Sequence, residues 1–252
     1  MVILMSTRII VFGDIELGAG NITDDFISDN TLAKIINYYS EEKDQIDLVF
    51  NGDSFDYLKC PKIVNEKAVY PRHITSDISL HKTRLIFSAH QKVINALRHF
   101  VEKPNHYLYF LIGNHDPDLK FPEVQILIKT ELQAKSNVYF DYFYDQPGIH
   151  IEHGDAYDVL QQQENEAPFN KYRGGKILNL PFVSFALIDK FMTIKEEYPF
   201  LERIKPEAEL FKHHKKIAKI VKKKTVAYFM LSVFYYPLRH FKDPTYRLPR
   251  GL

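Results

Sequence analysis

The chain has 252 residues, of which 45% are hydrophobic and 26% are charged, with a formal net charge of +1. These values are typical of a soluble globular domain with an elaboration. The single cysteine, Cys60, excludes an intrachain disulfide and is typical of a reducing compartment. The N-terminal residues lack the pattern of a secretory signal, so we expect a cytoplasmic protein.

Short apolar runs alternate with amphipathic patterns over the first 160 residues. The predicted strands are residues 8–12, 46–50, 106–112 and 148–152. The first three are apolar enough to be covered on both faces. Helices are predicted at 31–43, behind a cap at Asn30 or Thr31, and at 80–103. This alternation predicts an α/β layered domain with mostly parallel strands.

Beyond residue 160 the alternation ends, and patterns rich in Lys, Phe and Tyr predict helices. The most apolar pieces are residues 179–192 and 225–236. The second is too short to span a bilayer and is typical of a buried or interfacial helix. We therefore predict an α/β core over residues 1–160 and a helical cap or subdomain over residues 161–252.

Polar residues directly follow every predicted strand. They are Asp14 and Glu16, then Asp53 and Asp56, then Asn114, His115 and Asp116, and finally His153 and Asp155. Because side chains past the carboxyl ends of parallel strands share one crevice, we expect this set to lie together. Carboxylate, amide and imidazole groups without thiolate favour ions such as Mn²⁺, Fe and Zn²⁺. A bound metal would also relieve repulsion between the carboxylates, so the pattern predicts a divalent metal centre.

These motifs resemble the calcineurin-like metallophosphoesterase superfamily over residues 8–158. The superfamily pattern is D-x-H, GDxxD, GN-H-D/E, a histidine in an H-G turn, and G-H-x-H. Here "GDSFD" and "GNHD" match the second and third motifs closely. The resemblance implies a layered sandwich core with a C-terminal helical cap. The "HGD" turn and the helical segment after it are most similar to the branch that contains UDP-2,3-diacylglucosamine pyrophosphatase.

The resemblance also implies a metal site built from the matched residues. Asp14 would bind a first divalent ion, Asp53 would bridge two ions, and Asn114 and His153 would bind the second. Mn²⁺ is the expected ion, with Mg²⁺, Fe and Zn²⁺ as alternatives.

The implied activity is hydrolysis of a phosphodiester or diphosphate bond by two-metal activation of water. His115 would donate a proton or stabilise charge at the phosphate, oriented by Asp116. The substrate would be lipid-linked or a nucleotide diphosphate.

Two positions depart from the superfamily pattern. Glu16 stands where the family has histidine; it could hold an ion, favouring Mn²⁺ or Mg²⁺, or it could face solvent. No G-H-x-H follows His153, so two imidazoles are missing from the pattern. Asp155 could replace one of them or could serve as a turn residue. A shortened chain and a rebuilt site are the two explanations.

Two hypotheses of different class follow from these departures. The chain is either a phosphoesterase with a depleted or rebuilt site, or a catalytically impaired binding or scaffold module at a membrane surface. The retained His115 and Asp116 favour the enzyme, because a scaffold has no chemical need for that pair.

The C-terminal part of the chain is strongly basic. Residues 201–252 contain 13 Lys and Arg against 4 Asp and Glu, whereas residues 1–200 contain 20 against 28. With the aromatic run beside it, this charge predicts that residues 205–236 contact an amphiphilic lipid, a substrate diphosphate or the inner face of a membrane. The alternative is that Phe229 and Phe234 pack on the core while the lysines are solvated. Nucleic acid ranks lower, since no nucleic-acid motif accompanies the charge.

Overall fold

The computed structural model describes residues 7–246, and its centre is a four-stranded parallel sheet. The strands are β1 (Thr7–Phe12), β2 (Gln45–Asn51), β3 (Lys62–Val64), β4 (Lys67–Val69), β5 (His106–Leu111), β6 (Val138–Asp141), β7 (Phe143–Gln146), β8 (Ile149–Glu152), β9 (Phe169–Tyr172) and β10 (Gly175–Leu178). The central sheet has the order β1-β2-β5-β6, and the other strands form three antiparallel pairs.

Helices flank the sheet and make up most of the chain after β10. They are α1 (Asp29–Ser40), α2 (Ser76–Ala89), α3 (Gln91–Glu102), α4 (Pro122–Glu131), α5 (Phe182–Ala186), α6 (Met192–Lys195), α7 (Glu207–His213), α8 (Lys215–Phe234) and α9 (Tyr236–His240). Short 3₁₀ turns occupy Pro117–Lys120 and Asp155–Tyr157, and a π-helical turn at Leu187–Phe191 joins α5 to α6. The predicted mixed α/β class with a parallel sheet is confirmed.

Coverage of the central sheet is uneven. The five inner residues of β2 are all buried, as an apolar run between two neighbours predicts. The prediction that β1 is covered on both faces is wrong, because β1 is an edge strand and Val11 is 45% exposed. On the second face of the sheet the β7–β8 hairpin contributes Tyr144, which packs with Val49 and Leu111.

Other elements also differ from the prediction. The predicted helix 80–103 is two helices, α2 and α3, separated at His90. The His90 ring there bonds the carboxylates of Asp24 and Asp29, which anchors the break. The fourth predicted strand, β8, pairs in a hairpin rather than in the parallel sheet, whose fourth strand is β6. The β9–β10 hairpin lies in a region where only helices were predicted.

The C-terminal helices pack on the same core as the sheet. Phe182, Phe185 and Tyr228 belong to the hydrophobic cluster that contains the strand residues Leu48 and Phe110. A separate cluster holds α6 and α7 together through Ile194, Leu201 and Leu210. No helix within residues 7–246 is long and apolar enough to cross a membrane. The division into a core and a cap at residue 160 stays a prediction.

Candidate metal centre

Backbone hydrogen bonds hold the loops after β1, β2 and β5 against one another. The Glu16 amide donates to the Asp53 carbonyl at 2.8 Å, and the Leu17 amide donates to the Ser54 carbonyl at 3.0 Å. The Tyr57 amide donates to the carbonyl of His115 at 3.1 Å. The three loops therefore form one platform at the carboxyl end of the sheet, where parallel sheets place their ligands.

The platform holds three acidic residues in the left-handed backbone region. Asp14, Glu16 and Asp53 have φ angles of 49°, 52° and 48°. Residues other than glycine seldom adopt this region, and each such conformation costs about 1–3 kcal/mol. Such strain collects at functional sites, where the surrounding structure fixes a side chain in one direction.

Asp14, Asp53, Asn114 and His153 form the first of two polar groups in the centre. The Nε2 atom of His153 lies 3.2 Å from Asp53 Oδ2 and 3.1 Å from Asn114 Oδ1. Its Nδ1 atom lies 3.8 Å from Asp14 Oδ1. The ligand atoms of Asp14, Asp53 and His153 all lie within 4.8 Å of one another. The structure therefore brings together four of the five residues predicted to bind metal, whereas the fifth, Glu16, lies in a second group.

The environment of His153 prepares one ring nitrogen to bind a metal. Its Nδ1 atom donates to the Asn51 carbonyl at 3.0 Å, which leaves Nε2 to face Asp53 and Asn114. A second-shell carbonyl of this kind fixes the tautomer of metal-binding histidines. Burial alone would lower the pKa of His153, but the adjacent Asp53 carboxylate outweighs burial and raises it to about 9. The same pairing lowers the pKa of Asp53 against the effect of its own burial.

Two glutamines occupy the space beside this group. The Asn114 side-chain amide donates to Gln161 Oε1 at 2.7 Å, which directs Asn114 Oδ1 towards His153. Gln163 donates to the Gly113 carbonyl at 2.7 Å and to Asp155 Oδ2 at 3.0 Å. Asp155 begins a 3₁₀ turn and lies in neither metal-competent group found within residues 7–246.

His115 lies at the edge of the first group and is held by Asp56. Its Nδ1 atom is 3.1 Å from Asp56 Oδ1, and its backbone amide donates to Asp53 Oδ1 at 2.8 Å. Burial would lower the pKa of His115, but the carboxylates around it, with Asp56 first, raise it to about 9. An imidazolium is therefore favoured at neutral pH.

The predicted orienting role of Asp116 needs correction. Its carboxylate accepts hydrogen bonds from the Gly113 amide at 2.7 Å and the Ser54 amide at 2.8 Å, while the His115 ring is held by Asp56. The side chain of Asp116 is fully buried, and this burial with the nearby Asp53 charge raises its pKa to about 7. Asp116 thus fixes the backbone of two loops and does not contact the imidazole.

A second group contains Glu16, Asp56 and His115, and a lysine is inserted into it. The Lys59 ammonium lies 2.8 Å from Asp56 Oδ2 and 2.9 Å from Glu16 Oε2. Burial opposes the charged form of Lys59, but the carboxylates, with Asp56 first, raise its pKa far above the usual range. Glu16 was predicted either to bind an ion or to face solvent. In the structure it instead forms a salt bridge to a buried lysine.

Two carboxylates outside this second group also lie near Lys59. Glu202 Oε2 lies 3.2 Å from the Lys59 ammonium, and Asp25 Oδ2 lies 3.7 Å from it. Lys195, which is completely buried, bonds both Glu202 and Asp25. Sequence reasoning missed these residues. The three-residue spacing of Asp56 and Lys59 is the one sequence feature that could have predicted part of this network.

The two groups differ in their fit to a divalent ion. The first offers carboxylate oxygens, an amide oxygen and one imidazole nitrogen, a donor set that suits Mn²⁺, Fe or Zn²⁺. The Asp14 side chain is 73% exposed, so the first group opens to solvent and to an entering ligand. The second group already has a cation between its carboxylates.

The geometry and the wider sequence agree on the family. A model of the calcineurin-like phosphoesterase family matches residues 7–236. The chain belongs to the calcineurin-like phosphoesterase family. No curated protein and no solved structure matched it. This calcineurin-like phosphoesterase thus comes from a family of metal-dependent hydrolases of phosphoester bonds, and its first group contains side chains that could hold a divalent ion.

Proposed function

We propose that the chain hydrolyses a phosphodiester or diphosphate bond, with a divalent ion held by Asp14, Asp53, Asn114 and His153. One observation carries the proposal: Asp53 and Asn114 each place an oxygen within 3.2 Å of His153 Nε2, with His115 beside them. A divalent ion bound there would supply the Lewis acid that neutralises phosphoryl oxygens and activates water.

His115 is the residue best placed to protonate the leaving oxygen. Its Nδ1 atom is engaged by Asp56, and the ring lines an open cleft, so Nε2 is the nitrogen left for the substrate. Its raised pKa, about 9, keeps a proton on the ring at neutral pH. Asp56 is a positioning residue for the ring, and Asp116 positions the loop that carries it.

The cleft beside His115 indicates a substrate with an apolar part. Its volume is about 370 Å³, and its walls are mainly apolar. They include Leu58 from the core and Leu187, Phe191 and Tyr228 from the helical segment. Lys190 and Lys224 also line the cleft and suit a diphosphate. These features support a lipid-linked or nucleotide-diphosphate substrate, as in the branch with UDP-2,3-diacylglucosamine pyrophosphatase.

The outer face of α8 supports contact with an anionic membrane surface. Phe229 is 50% exposed and Phe234 is 66% exposed, and neither belongs to the core cluster. Exposed lysines precede them on the same helix; these are Lys215, Lys216, Lys222 and Lys223. A basic segment followed by exposed aromatic residues is typical of helices that lie in a membrane interface. We infer peripheral attachment at the cytoplasmic face.

Sedimentation with lipid vesicles tests this attachment. Vesicles containing phosphatidylserine should bind the protein at low salt, and binding should weaken as the screening length falls to about 8 Å near physiological salt. Changing Lys222 and Lys223 to Glu should reduce binding, whereas Lys135→Glu, an exposed lysine before β6, should not. Absence of vesicle binding would leave a soluble phosphoester as the substrate.

Hydrolysis assays test the proposed activity itself. The metal-stripped protein should gain phosphodiester or diphosphate hydrolysis when Mn²⁺ is added, across a panel of aryl phosphodiesters, nucleotide-diphosphate sugars and lipid-linked diphosphates. Asp53→Asn should abolish this gain, and the matched control Asp145→Asn, an exposed carboxylate in the β7–β8 hairpin, should keep it. A folded protein that binds vesicles but shows no Mn²⁺-dependent turnover would support the scaffold hypothesis.

A further inference from the structure

The Lys59 ammonium lies where the second group of carboxylates would otherwise enclose a metal ion. Its side chain is only 4% exposed, and it lies 2.8 Å from Asp56, 2.9 Å from Glu16 and 3.2 Å from Glu202. An ammonium group has three hydrogen-bond donors and no acceptor. The Glu16 carboxylate accepts a hydrogen bond from this ammonium, and Asp56 and Glu202 form ion pairs with it.

We propose that the Lys59 ammonium replaces the second divalent ion, so that the centre binds a single ion, at Asp14, Asp53, Asn114 and His153. This inference rests on the proposed function and departs from the two-ion centre that the sequence predicts.

The distances favour an ammonium over a metal ion at this position. Zn²⁺ and Mg²⁺ bind oxygen at about 2.0–2.2 Å. The three carboxylate oxygens lie 2.8–3.2 Å from the nitrogen, the spacing of ammonium–carboxylate pairs. An entering ion would have to draw the oxygens inward and expel Lys59. Expulsion would break these ion pairs and disrupt the packing around a side chain that is almost completely buried.

The helical segment balances the charge around Lys59. Lys195 bonds Asp25 and Glu202, and Arg203 Nε lies 3.0 Å from Asp25 Oδ1. The network around Lys59 thus contains three cationic side chains and four carboxylates, and the His115 ring lies beside it. The cations are Lys59, Lys195 and Arg203, and the carboxylates are Glu16, Asp25, Asp56 and Glu202. Little negative charge remains to attract a second ion.

Lys59 also acts on the proposed chemistry through Asp56. One oxygen of Asp56 bonds Lys59, and the other lies 3.1 Å from His115 Nδ1. Lys59 is therefore a positioning residue that holds Asp56 and, through it, the imidazole.

Metal stoichiometry tests the proposal. The stripped full-length protein is loaded with excess Mn²⁺ and desalted; bound Mn²⁺ is counted by mass spectrometry, and electron paramagnetic resonance tests for magnetic coupling. We expect one Mn²⁺ per chain with the signal of an isolated ion. Lys59→Met should raise the count to two with a coupled signal, since ions of a two-metal centre lie about 3.5–4 Å apart. Lys59→Arg, which keeps the cation, should stay at one.

The outcomes separate this inference from the proposed function. Two coupled ions in the parent protein would overturn the role of Lys59 and leave the phosphoesterase proposal standing. No bound ion in the parent would overturn both. A folded Lys59→Met variant that still binds one ion would show that Lys59 does not exclude the second. If that variant fails to fold, the parent count and the Lys59→Arg count decide the question.

Discussion

Replacing Gly113 by alanine should weaken metal binding because the new methyl group would press on Asp53. A Cβ atom at Gly113 would lie 2.3 Å from Asp53 Oδ1 and 2.6 Å from the Asp53 amide nitrogen, closer than any ordinary contact. Overpacking of this kind costs about 1–3 kcal/mol. If the strain is relieved by moving the Asp53 carboxylate, the affinity for Mn²⁺ should fall about 5- to 150-fold. Calorimetric titration of the stripped protein with Mn²⁺ measures the change.

Gly13→Ala is the matched control for this experiment. Gly13 precedes Asp14 in the same platform, but a Cβ atom there meets nothing within 4 Å. Its Mn²⁺ affinity should stay within about twofold of the parent. Equal affinities for Gly113→Ala, Gly13→Ala and the parent, with all three folded, would refute the claim that close packing on Asp53 sets the metal site.

Three further predictions concern catalysis and stability. His115→Ala should lower Mn²⁺-dependent turnover about 10²- to 10⁴-fold while the Mn²⁺ content stays unchanged, and loss of the metal as well would contradict a role limited to proton donation. Lys195→Met should lower the free energy of unfolding by up to about 3–5 kcal/mol in a urea titration, because it removes the completely buried cation that bonds both Asp25 and Glu202; a loss below about 1 kcal/mol would argue against the network. Burial lowers the pKa of His90, but the hydrogen bonds of its ring to Asp24 and to Asp29 raise this pKa overall. The protonated His90 ring therefore stabilises the fold fully below the unfolded pKa of about 6.5, and this stabilisation is lost as the pH rises through the folded pKa. His90→Gln should therefore cost about 1.5–3 kcal/mol at pH 5.5 and clearly less at pH 9.5, and equal losses at both would contradict this sign.

The sequence could predict the first group because strand ends are local features. Asp53 follows β2 directly and Asn114 follows β5, so the parallel sheet alone brings them to one edge. His153 reaches the same edge from a hairpin strand, which the sequence pattern could not distinguish from a fourth parallel strand.

The second group could not be predicted, because it depends on contacts between distant parts of the chain. We expected a metal to relieve repulsion among the carboxylates, whereas Lys59 does so for Glu16 and Asp56. Lys195 and Glu202, which belong to the same ion-pair network, lie in a helical segment more than 130 residues later. No local sequence pattern predicts a contact between such distant segments. The Asp116 role failed for a related reason: adjacency to His115 in sequence does not make the side chains neighbours.

Anomalous diffraction from crystals of the stripped protein soaked in Mn²⁺ shows directly whether the first group binds the ion. We expect an anomalous peak within bonding distance of Asp14, Asp53, Asn114 and His153, and none at the Lys59 ammonium. A structure in which those four side chains bind no Mn²⁺, or in which the ion lies elsewhere in the chain, would contradict this expectation.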